Sequence, residues 1–480
     1  MYRNILGERM HNHRGDEIRV SMPGERFTPF SLAKKLGARA ILESASFKKG
    51  RERYSLILVD EAFRVKQEGD SVLISVQGTT NPYPFTEPGD ILDALREIAD
   101  QNRGIISDLP VPGAGIGFFG YDFVRHCDTV RMAKKSDPIG IPESEFIVGH
   151  IYIVFDHYTD TIHLVGLNYR EHEIDLAARI TEVQRRIGDL DFTYLAAPMD
   201  FVPFTITSDE DADRVVFMRG VERIRERIIA GDLLQAVLSR RLVGTSDLEG
   251  LEGYRRLRSI SPSPYLFYIN FGTYEILGAS PESLVRLRSE VATIRPIAGT
   301  RRRGKNEAED RELEKELLAD PKERAEHLML VDLARNDLGR VCVPGSVKVS
   351  RHMEPEQFSH VIHLVSEVEG SPDPAKKTTD LLRAAFPAGT VSGAPKLRAI
   401  EIVSELENYD RSFYAGAVGY LDVHGGFDTC ITIRSALVKD KTWYLQAGAG
   451  IVYASTPERE WEETNEKLAA LRKALMGGLQ

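Results

Sequence analysis

Residues 415–453 read AGAVGYLDV, HGG, FDTCITIRSALV, KDK and TWYLQAGAGIVY in succession. Three apolar runs are separated here by two short polar turns, at 424–426 and 439–441. Such spacing predicts hairpins, because turns this short join neighbouring strands only in an antiparallel arrangement. The stretch therefore predicts a three-stranded antiparallel meander.

The first part of the chain has the same character. Strand-like runs cover 54–65, 71–78 and 146–167, and the last of them breaks at Asp156–Asp160 as a hairpin would. Helical patterns lie beside them, at 90–101 and 172–187. Because the strands come in hairpins rather than in βαβ alternation, the chain is predicted to be α+β with mostly antiparallel sheets.

The regular spacing of apolar residues that marks helices and strands is absent from Gly188 to Thr207. This gap predicts a boundary between residues 1–190 and 208–480. Beyond it we expect a helix over 208–230, a strand over 233–243 and two helices whose first turns are clearly marked. One begins at Asp320-Pro321, where an acidic N-cap precedes a proline, and the other begins near Pro457 and runs to about Leu475.

Composition limits the class of protein. The 480 residues carry a net charge of −10, which argues against nucleic acid or an anionic membrane surface as a partner. No run approaches the roughly 18 apolar residues of a membrane span. Three scattered cysteines favour a reducing compartment over a disulfide framework. We expect a cytoplasmic protein without a membrane segment.

Two glycine-rich stretches resemble nucleotide motifs only superficially. Residues 115–120, GIGFFG, match the spacing of a dinucleotide loop but lie among aromatic residues with no helix expected to follow. Residues 389–396, GTVSGAPK, lack the spacing of a phosphate-binding P-loop, although glycines before a helix can present N–H groups to an anion such as a carboxylate.

Two predicted helices each carry glutamates three positions apart, Glu323 with Glu326 and Glu460 with Glu463. Residues at this spacing share one helix face, so two such faces together would form an oxygen site suited to Mg²⁺. The alternative is that each pair lies on a solvated surface. Two further residues are equally open: His363 is a core residue or an active-site group, and Arg434, in an alternating strand, points inward to a carboxylate or outward to solvent.

Four long strings resemble the chorismate-utilising enzymes: IRPIAGTRRRG (294–304), KERAEHLMLVDLARNDLGRV (322–341), FPAGTVSGAPK (386–396) and LQAGAGIVYASTPEREWEETNEK (445–467). A shorter match, ILESA (41–45), lies in the first region. The resemblance implies a layered sandwich of antiparallel sheets with outer helices, in which the two regions are intertwined.

Two positions separate the reactions of this family. Members that add water carry a lysine base where this chain has Gln235, and members that form a covalent intermediate carry a lysine where it has Ala298. Neither residue here is a base or a nucleophile. The resemblance therefore implies amination of chorismate by ammonia, with anthranilate and pyruvate as products.

Three alternatives remain open. The first is a synthase that stops at 2-amino-2-deoxyisochorismate. The second is an aminodeoxychorismate synthase, which Ala298 disfavours. The third is a non-enzymatic regulator that binds chorismate or tryptophan.

The resemblance also implies a set of site residues. Glu326 and Glu463 would bind Mg²⁺ directly, with Glu323 and Glu460 holding its waters. Glu282 would be the general acid for the leaving ring hydroxyl, and His363 an active-site histidine. The catalytic set is Glu282, His363 and Gln235. Contacts to chorismate would come from Gly299, Thr300, Thr390, Tyr414, Arg434, Gly448, Ala449, Gly450 and Lys467.

A second pocket, for L-tryptophan as feedback inhibitor, is implied by the five residues Glu43, Ser44, Pro264, Tyr265 and Leu266. Many members have a lysine about ten residues after that serine, and this chain has Tyr54 there, beside Arg53. The resemblance further implies a separate glutamine amidotransferase subunit as the source of ammonia, and hence a hetero-oligomer.

Overall fold

The computed structural model describes residues 17–45, 53–85, 87–103, 108–133, 135, 137–189, 202–358 and 361–477. Its helices are α1 (Pro29–Leu36), α2 (Ile91–Gln101), α3 (Val124–Cys127), α4 (Leu176–Gly188), α5 (Glu210–Ile229), α6 (Gly250–Ile260), α7 (Glu307–Ala319), α8 (Pro321–Gly339), α9 (Asp380–Ala385), α10 (Lys396–Leu406) and α11 (Pro457–Met476).

The strands fall before and after α5. Those before it are β1 (Glu17–Pro23), β2 (Ala40–Glu43), β3 (Tyr54–Glu68), β4 (Ser71–Val76), β5 (Thr79–Pro82), β6 (Ile116–Phe119), β7 (Ser144–Asp156), β8 (Thr161–Leu167) and β9 (Phe204–Ile206). Those after it are β10 (Gln235–Ser246), β11 (Tyr265–Asn270), β12 (Glu275–Ser280), β13 (Ser283–Arg288), β14 (Val291–Ile294), β15 (Ile297–Arg302), β16 (Lys348–Gln357), β17 (Val361–Gly370), β18 (Gly393–Ala394), β19 (Ala417–Leu421), β20 (Phe427–Ile431), β21 (Ser435–Lys439) and β22 (Thr442–Ile451).

All of the strand pairings within these ranges are antiparallel. The α+β class is therefore confirmed. The predicted three-stranded meander is wrong in one respect, because its middle run forms two strands. The first, β20, pairs with β19 and β13, whereas the second, β21, pairs with β22 and β12. The chain leaves one set of neighbours for another between them.

Alternation along the strands separates two apolar layers. On β3, Leu56 and Leu58 belong to one hydrophobic cluster, and Ile57 belongs to another that includes residues of α4, α6 and α11. Because successive side chains point to opposite faces of a strand, the sheet is covered on both sides. One cluster therefore lies within the sheets and the other under the outer helices, as a layered sandwich requires.

The two sequence regions share hydrogen-bonded sheets. Strand β2 pairs with β11, and β6 pairs with β19, so strands more than 200 positions apart in the chain are neighbours in space. Part of the predicted boundary, residues 190–201, lies outside the described residues. On either side of it, α4 ends at Gly188 and β9 begins at Phe204.

Helix starts follow local capping chemistry. Asp320 accepts hydrogen bonds from the backbone N–H groups of Lys322 and Glu323, as its position before Pro321 predicts. Helix α4 begins four residues later than the pattern suggested. Asp175 caps it, while His172 forms a bridge with Tyr169 instead of a first helical turn. No helix in the described ranges has both the length and the apolar composition that a membrane crossing requires.

We expect Gly416→Ala to loosen the junction between β6 and β19. A Cβ atom at this position would lie 2.0 Å from the carbonyl oxygen of Phe119, and backbone cannot move aside as a flexible side chain can. The free energy of unfolding should fall by about 1–3 kcal/mol, measured as a lower Tm. Gly188→Ala is the control, because nothing lies within 4 Å of a Cβ there. Equal melting temperatures for the two variants would contradict the prediction.

Candidate active site

Helix α11 packs against β22 and carries the first charged group of the site. Its residues Trp461 and Leu468 are buried. Lys467, on the adjoining face, donates from Nζ to the carbonyl oxygen of Gly448 at 2.8 Å. The same Nζ lies 2.8 Å from Oε1 of Glu463. The ammonium group is thus held between the helix and the glycine-rich part of the strand.

Arg434 does not lie within a strand, contrary to the prediction. It occupies the break between β20 and β21 with a φ of 52°, where the chain changes its strand partners. Its side chain is half-buried, and Nη1 donates to the carbonyl oxygen of Lys467 at 3.2 Å. Burial lowers the pKa of this guanidinium. Of the two orientations the sequence left open, the structure has the inward one.

Glu282 lies in the short link between β12 and β13. Its backbone carbonyl accepts a hydrogen bond from Ile431, and Oε1 of its side chain accepts one from Oγ1 of Thr390 at 2.9 Å. Burial raises the pKa of this carboxyl to about 7, against the opposing effects of the Thr390 hydrogen bond and the charge of Lys467. A substantial fraction of Glu282 is therefore protonated at neutral pH, as a general acid needs.

His363 is half-buried on β17, whose neighbouring side chains Ile362 and Leu364 point the other way into a small apolar cluster. Its Nδ1 lies 2.9 Å from the carbonyl oxygen of Gly299 and 3.2 Å from Oγ1 of Thr300. A carbonyl can only accept, so Nδ1 carries the proton. Burial lowers the pKa of the ring. The imidazole is therefore neutral near pH 7, with Nε2 as its lone-pair nitrogen.

Strands β10 and β22 bring Gln235 beside the glycines. A Cβ atom on Gly450 would lie 2.7 Å from Nε2 of Gln235, and one on Gly448 would lie 3.2 Å from the hydroxyl of Tyr414. Oε1 of Gln235 is buried without a hydrogen-bond partner. The methyl group of Ala449 lies in the apolar cluster on the opposite face, so only its backbone is available to a ligand.

Glu323 and Glu326 lie on α8, and Glu460 and Glu463 lie on α11. Burial has the largest effect on Glu326 and raises the pKa of its carboxyl, and the negative charges of Glu323 and Glu463 raise it further. Burial and the charge of Glu463 also raise the pKa of Glu460. Glu460 is itself buried. Glu323, Glu326 and Glu463 are half-buried, so none of the four lies on a fully solvated helix face.

Electrostatic effects connect these groups into one site. The charge of Lys467 acts on the carboxyls of both Glu282 and Glu326, and the charge of Arg434 acts on His363. Two cations, Lys467 and Arg434, are thus linked to a carboxyl of raised pKa, a half-buried histidine and the carboxylates of α8.

A sequence model of the family described as chorismate binding enzyme matches residues 46–473. The chain belongs to the chorismate-binding enzyme family. Two relatives, both called anthranilate synthase component 1, come from Spirochaeta aurantia and Acetivibrio thermocellus. The first is 52% identical over 95% of this chain and 94% of its own length. The second is 40% identical over 93% of this chain and 92% of its own length.

Two solved structures have folds similar to that of this chain. Anthranilate synthase component I from Streptococcus pneumoniae TIGR4 superposes with a TM-score of 0.77 at 36% identity, covering 88% of this chain and 92% of that one. The menaquinone-specific isochorismate synthase MenF from Escherichia coli gives a TM-score of 0.71 at 21% identity, covering 96% and 94%. The second match concerns the fold alone.

The carboxylate oxygens of the four glutamates on α8 and α11 are the type of ligand that a hard cation binds, although they do not converge on a single point. Among the described residues no three histidine, cysteine, aspartate or glutamate side chains converge as a ready-made metal site. Oε2 of Glu460, however, is buried without a hydrogen-bond partner, and oxygen donors are those that Mg²⁺ prefers. Burial and mutual repulsion raise the pKa of Glu326, so a cation would relieve both.

A separate cavity of about 1430 Å³ is lined by all five residues predicted for tryptophan. Glu43 accepts hydrogen bonds from the hydroxyl of Tyr254 at 2.7 Å and from Arg258 at 3.0 Å. Tyr265 donates to Asp428 at 3.0 Å. The hydroxyl of Ser44 is buried without a partner. Of these residues, Glu43 is thus already paired with the Arg258 guanidinium, whereas the Ser44 hydroxyl has no partner.

The sequence did not reveal one group next to the site, the buried ion pair of Arg411 and Glu407, both less than a tenth exposed. Charged residues four apart usually pair on a helix surface, so their spacing alone carries no signal for burial. Glu407 follows the end of α10 and Arg411 lies beyond it, so the pairing is not a helical one.

Proposed function

We propose that this chain is the chorismate-aminating component of an anthranilate synthase, which forms anthranilate and pyruvate from chorismate and ammonia on the way to tryptophan. The presence of Gln235 and Ala298 carries the proposal. Neither side chain is a base or a nucleophile, so the enzyme must use a nucleophile that needs no activation, and free ammonia is one. Relatives with the name anthranilate synthase component 1 at 40–52% identity support it.

In the proposed reaction ammonia forms a bond to C2 of the ring, and the ring hydroxyl leaves as water with a proton from Glu282. Lys467 and Arg434 hold the two carboxylates of the substrate. Glu326 and Glu463 would bind Mg²⁺, with Glu323 and Glu460 at its waters. When bound, the metal would supply positive charge to the ring carboxylate and favour loss of the hydroxyl. Loss of the proton at C2 and cleavage of the ring carbon–oxygen bond then release enolpyruvate, which takes up a proton to give pyruvate. The ring becomes aromatic in this elimination, which makes the enzyme a lyase.

The product assay tests the proposal. The chain is incubated with chorismate, MgCl₂ and an ammonium salt, and anthranilate is followed by its fluorescence. We expect anthranilate and an equal amount of pyruvate. A stable aminated chorismate in place of anthranilate would refute the assignment and favour a synthase that stops at the aminated intermediate. No turnover, with chorismate still bound, would favour a regulator.

Ammonia would come from a separate glutamine amidotransferase subunit, which the designation component 1 of the relatives supports. Glutamine alone should then give no anthranilate until such a subunit is added, whereas ammonium salts should suffice without it. We also propose that the enzyme works in the cytoplasm, since Cys127, Cys342 and Cys430 are unpaired thiols.

With the concentration of free NH₃ held constant, the rate should fall as the pH rises through about 7. Burial raises the pKa of Glu282 to about 7, and only its protonated form can donate to the leaving hydroxyl, so under that condition kcat/KM for chorismate should be constant below this pH and decline above it. Thr390→Val should move the decline to higher pH, because the Thr390 hydrogen bond lowers this pKa.

Asp122 is the control for that profile. Burial raises the pKa of its carboxyl to about 7 as well, but it accepts a hydrogen bond from the backbone of Ser412 rather than contacting the site. Asp122→Asn should leave the decline where it is. A decline that disappears in Asp122→Asn, or does not move in Thr390→Val, would remove Glu282 from the role of acid.

We further propose that L-tryptophan inhibits the enzyme from the large cavity. Ser44→Phe should raise the tryptophan concentration for half-inhibition at least about tenfold. The variant would lose the hydrogen bond proposed between the Ser44 hydroxyl and tryptophan, and its larger side chain would take up space in the cavity. Together these changes should weaken binding by about 1.4 kcal/mol or more. The uninhibited rate should change little. Ser371→Ala, on the loop after β17 that lines the same cavity, is the control. Unchanged inhibition in Ser44→Phe would place the effector elsewhere.

A further inference from the structure

Arg411 is a fully buried cation between three parts of the chain. Its Nη1 donates to the carbonyl oxygen of Val391 at 2.7 Å, and its Nη2 donates to that of Val237 at 2.5 Å. The guanidinium lies over the ring of Tyr121, 4.5 Å from its centroid. Only 2% of the side chain is exposed, so no part of its bonding is left to solvent.

The two carbonyl acceptors belong to segments that carry site groups. Val391 directly follows Thr390, whose hydroxyl donates to Glu282. Val237 is two residues after Gln235 on β10, so their side chains share a face of the strand. The segments also touch directly, since the N–H of Val237 donates to the carbonyl oxygen of Ser392 at 2.9 Å. The guanidinium therefore adds two further bonds to the junction between the turn that bears Thr390 and the strand that bears Gln235.

The counterion fixes the guanidinium in turn. Glu407 accepts from Nε of Arg411 at 2.9 Å, and its other oxygen accepts from both the backbone and the hydroxyl of Ser239, on β10, at 2.8 and 2.7 Å. Tyr121 is held by a hydrogen bond from its N–H to the carbonyl oxygen of Ser412 at 2.7 Å. The arginine is thus restrained from the ion-pair side and from the aromatic side.

A buried ion pair contributes little net stability compared with apolar residues of the same volume. What this one supplies is a rigid planar fork that reaches two carbonyls and a carboxylate at once, which a lysine or an apolar side chain cannot do. Each of the two carbonyls lies within two residues of a group proposed to act on the substrate. The bonds of Arg411 therefore act on the position of site groups more than on the stability of the core.

We propose that Arg411 is a positioning residue for the amination of chorismate, acting through Thr390 on the proton donor Glu282 and through β10 on Gln235. The proposal rests on the function proposed above. Displacement of the turn that bears Thr390 would misplace the hydroxyl that orients the acid. A displacement of about 1 Å can lower a rate by two orders of magnitude, because catalytic groups act within narrow limits of distance.

A double-mutant cycle between Arg411→Lys and Thr390→Val tests it. Arg411→Lys keeps the charge beside Glu407 but cannot reach both carbonyls. We expect it to lower kcat for anthranilate formation about 10- to 100-fold with little change in KM for chorismate. Because both changes act on the same group, the loss in the double variant should be at least about fivefold smaller than the product of the single losses.

Arg256→Lys is the control. Arg256 is also a buried arginine beside a carboxylate, 3.7 Å from Glu252, but both residues lie on α6, which bears none of the predicted site residues. Its change should leave kcat within about twofold and combine with Thr390→Val as the simple product. Thermal melts of each variant show whether it is folded at the assay temperature.

If Arg411→Lys fails to fold, Tyr121→Leu takes its place, since it frees the guanidinium from the aromatic side while keeping every hydrogen bond. The same non-additivity with Thr390→Val is then expected, with a smaller loss. Losses that multiply, or an unchanged kcat in a folded Arg411 or Tyr121 variant, would overturn the proposal. A wild-type chain that makes no anthranilate would refute the proposed function instead, so the two failures are distinguishable.

Discussion

Replacing Glu326 with glutamine is expected to abolish Mg²⁺-dependent anthranilate formation and, at the same time, to make the metal-free protein more stable. The carboxylate lies on α8 and is half-buried. Burial and the charges of Glu323 and Glu463 raise its pKa, which means that its ionised form is held at a cost to the fold. Glutamine has the same shape and removes that cost, so Tm without metal should rise by about 1–3 °C.

The rate should fall by at least about three orders of magnitude, because a ligand that positions the metal at the ring carboxylate would be lost. A readout independent of turnover is the effect of MgCl₂ on Tm. We expect Mg²⁺ to stabilise the wild-type protein and to have no such effect on Glu326→Gln, since binding to the folded state raises stability only where a site exists. Glu463→Gln should behave in the same way.

Asp332→Asn is the control on the same helix, because Asp332 is exposed and pairs with Arg335 at 3.3 Å. It should change neither the rate nor the response to Mg²⁺. A Glu326→Gln variant that keeps its activity, or that is still stabilised by Mg²⁺ as the wild type is, would refute the metal assignment.

Replacing Glu282 with glutamine is expected to lower kcat by about 10²–10⁴-fold, the usual contribution of a general acid. The amide oxygen can still accept the hydrogen bond from Thr390, so the geometry should be preserved while the transferable proton is lost. KM for chorismate should change little. The decline of the remaining activity above pH 7 should also disappear, because its titrating group is gone.

Glu275→Gln is a matched control for that variant. Burial raises the pKa of Glu275 as it does that of Glu282, but this residue bonds to Tyr268 and to the backbone of Gly250. Its replacement is expected to affect Tm rather than kcat. If kcat in Glu282→Gln stayed within about tenfold of wild type, another group or water would have to be the proton donor.

Elements governed by local chemistry could be predicted from the sequence. The hairpin of β7 and β8, the N-cap of α8 at Asp320 and the start of α11 at Pro457 all depend on a few adjacent residues. The strand break at Arg434 could not be predicted. An alternating pattern shows that a run is extended, but it does not show that β20 and β21 pair with the remote strands β13 and β12.

The candidate site divides in the same manner. Glutamates three apart on a helix can be recognised as one face, and the resemblance to chorismate-utilising enzymes pointed to their partners. Burial of Glu460 was not foreseen, because α11 is covered by α5 and α6 as well as by β22. Arg411 was missed altogether, since nothing in its neighbourhood of sequence distinguishes a buried ion pair from a surface one.

By itself the sequence determined the α+β class, the antiparallel hairpins, the helix starts and the types of side chain available for chemistry. Only the tertiary structure decided which of them meet. Thr390 and Glu282 are 108 positions apart and share a hydrogen bond, and His363 and Gly299 are 64 apart. Periodicity and capping act over a few residues, whereas these contacts depend on how whole strands pair and pack.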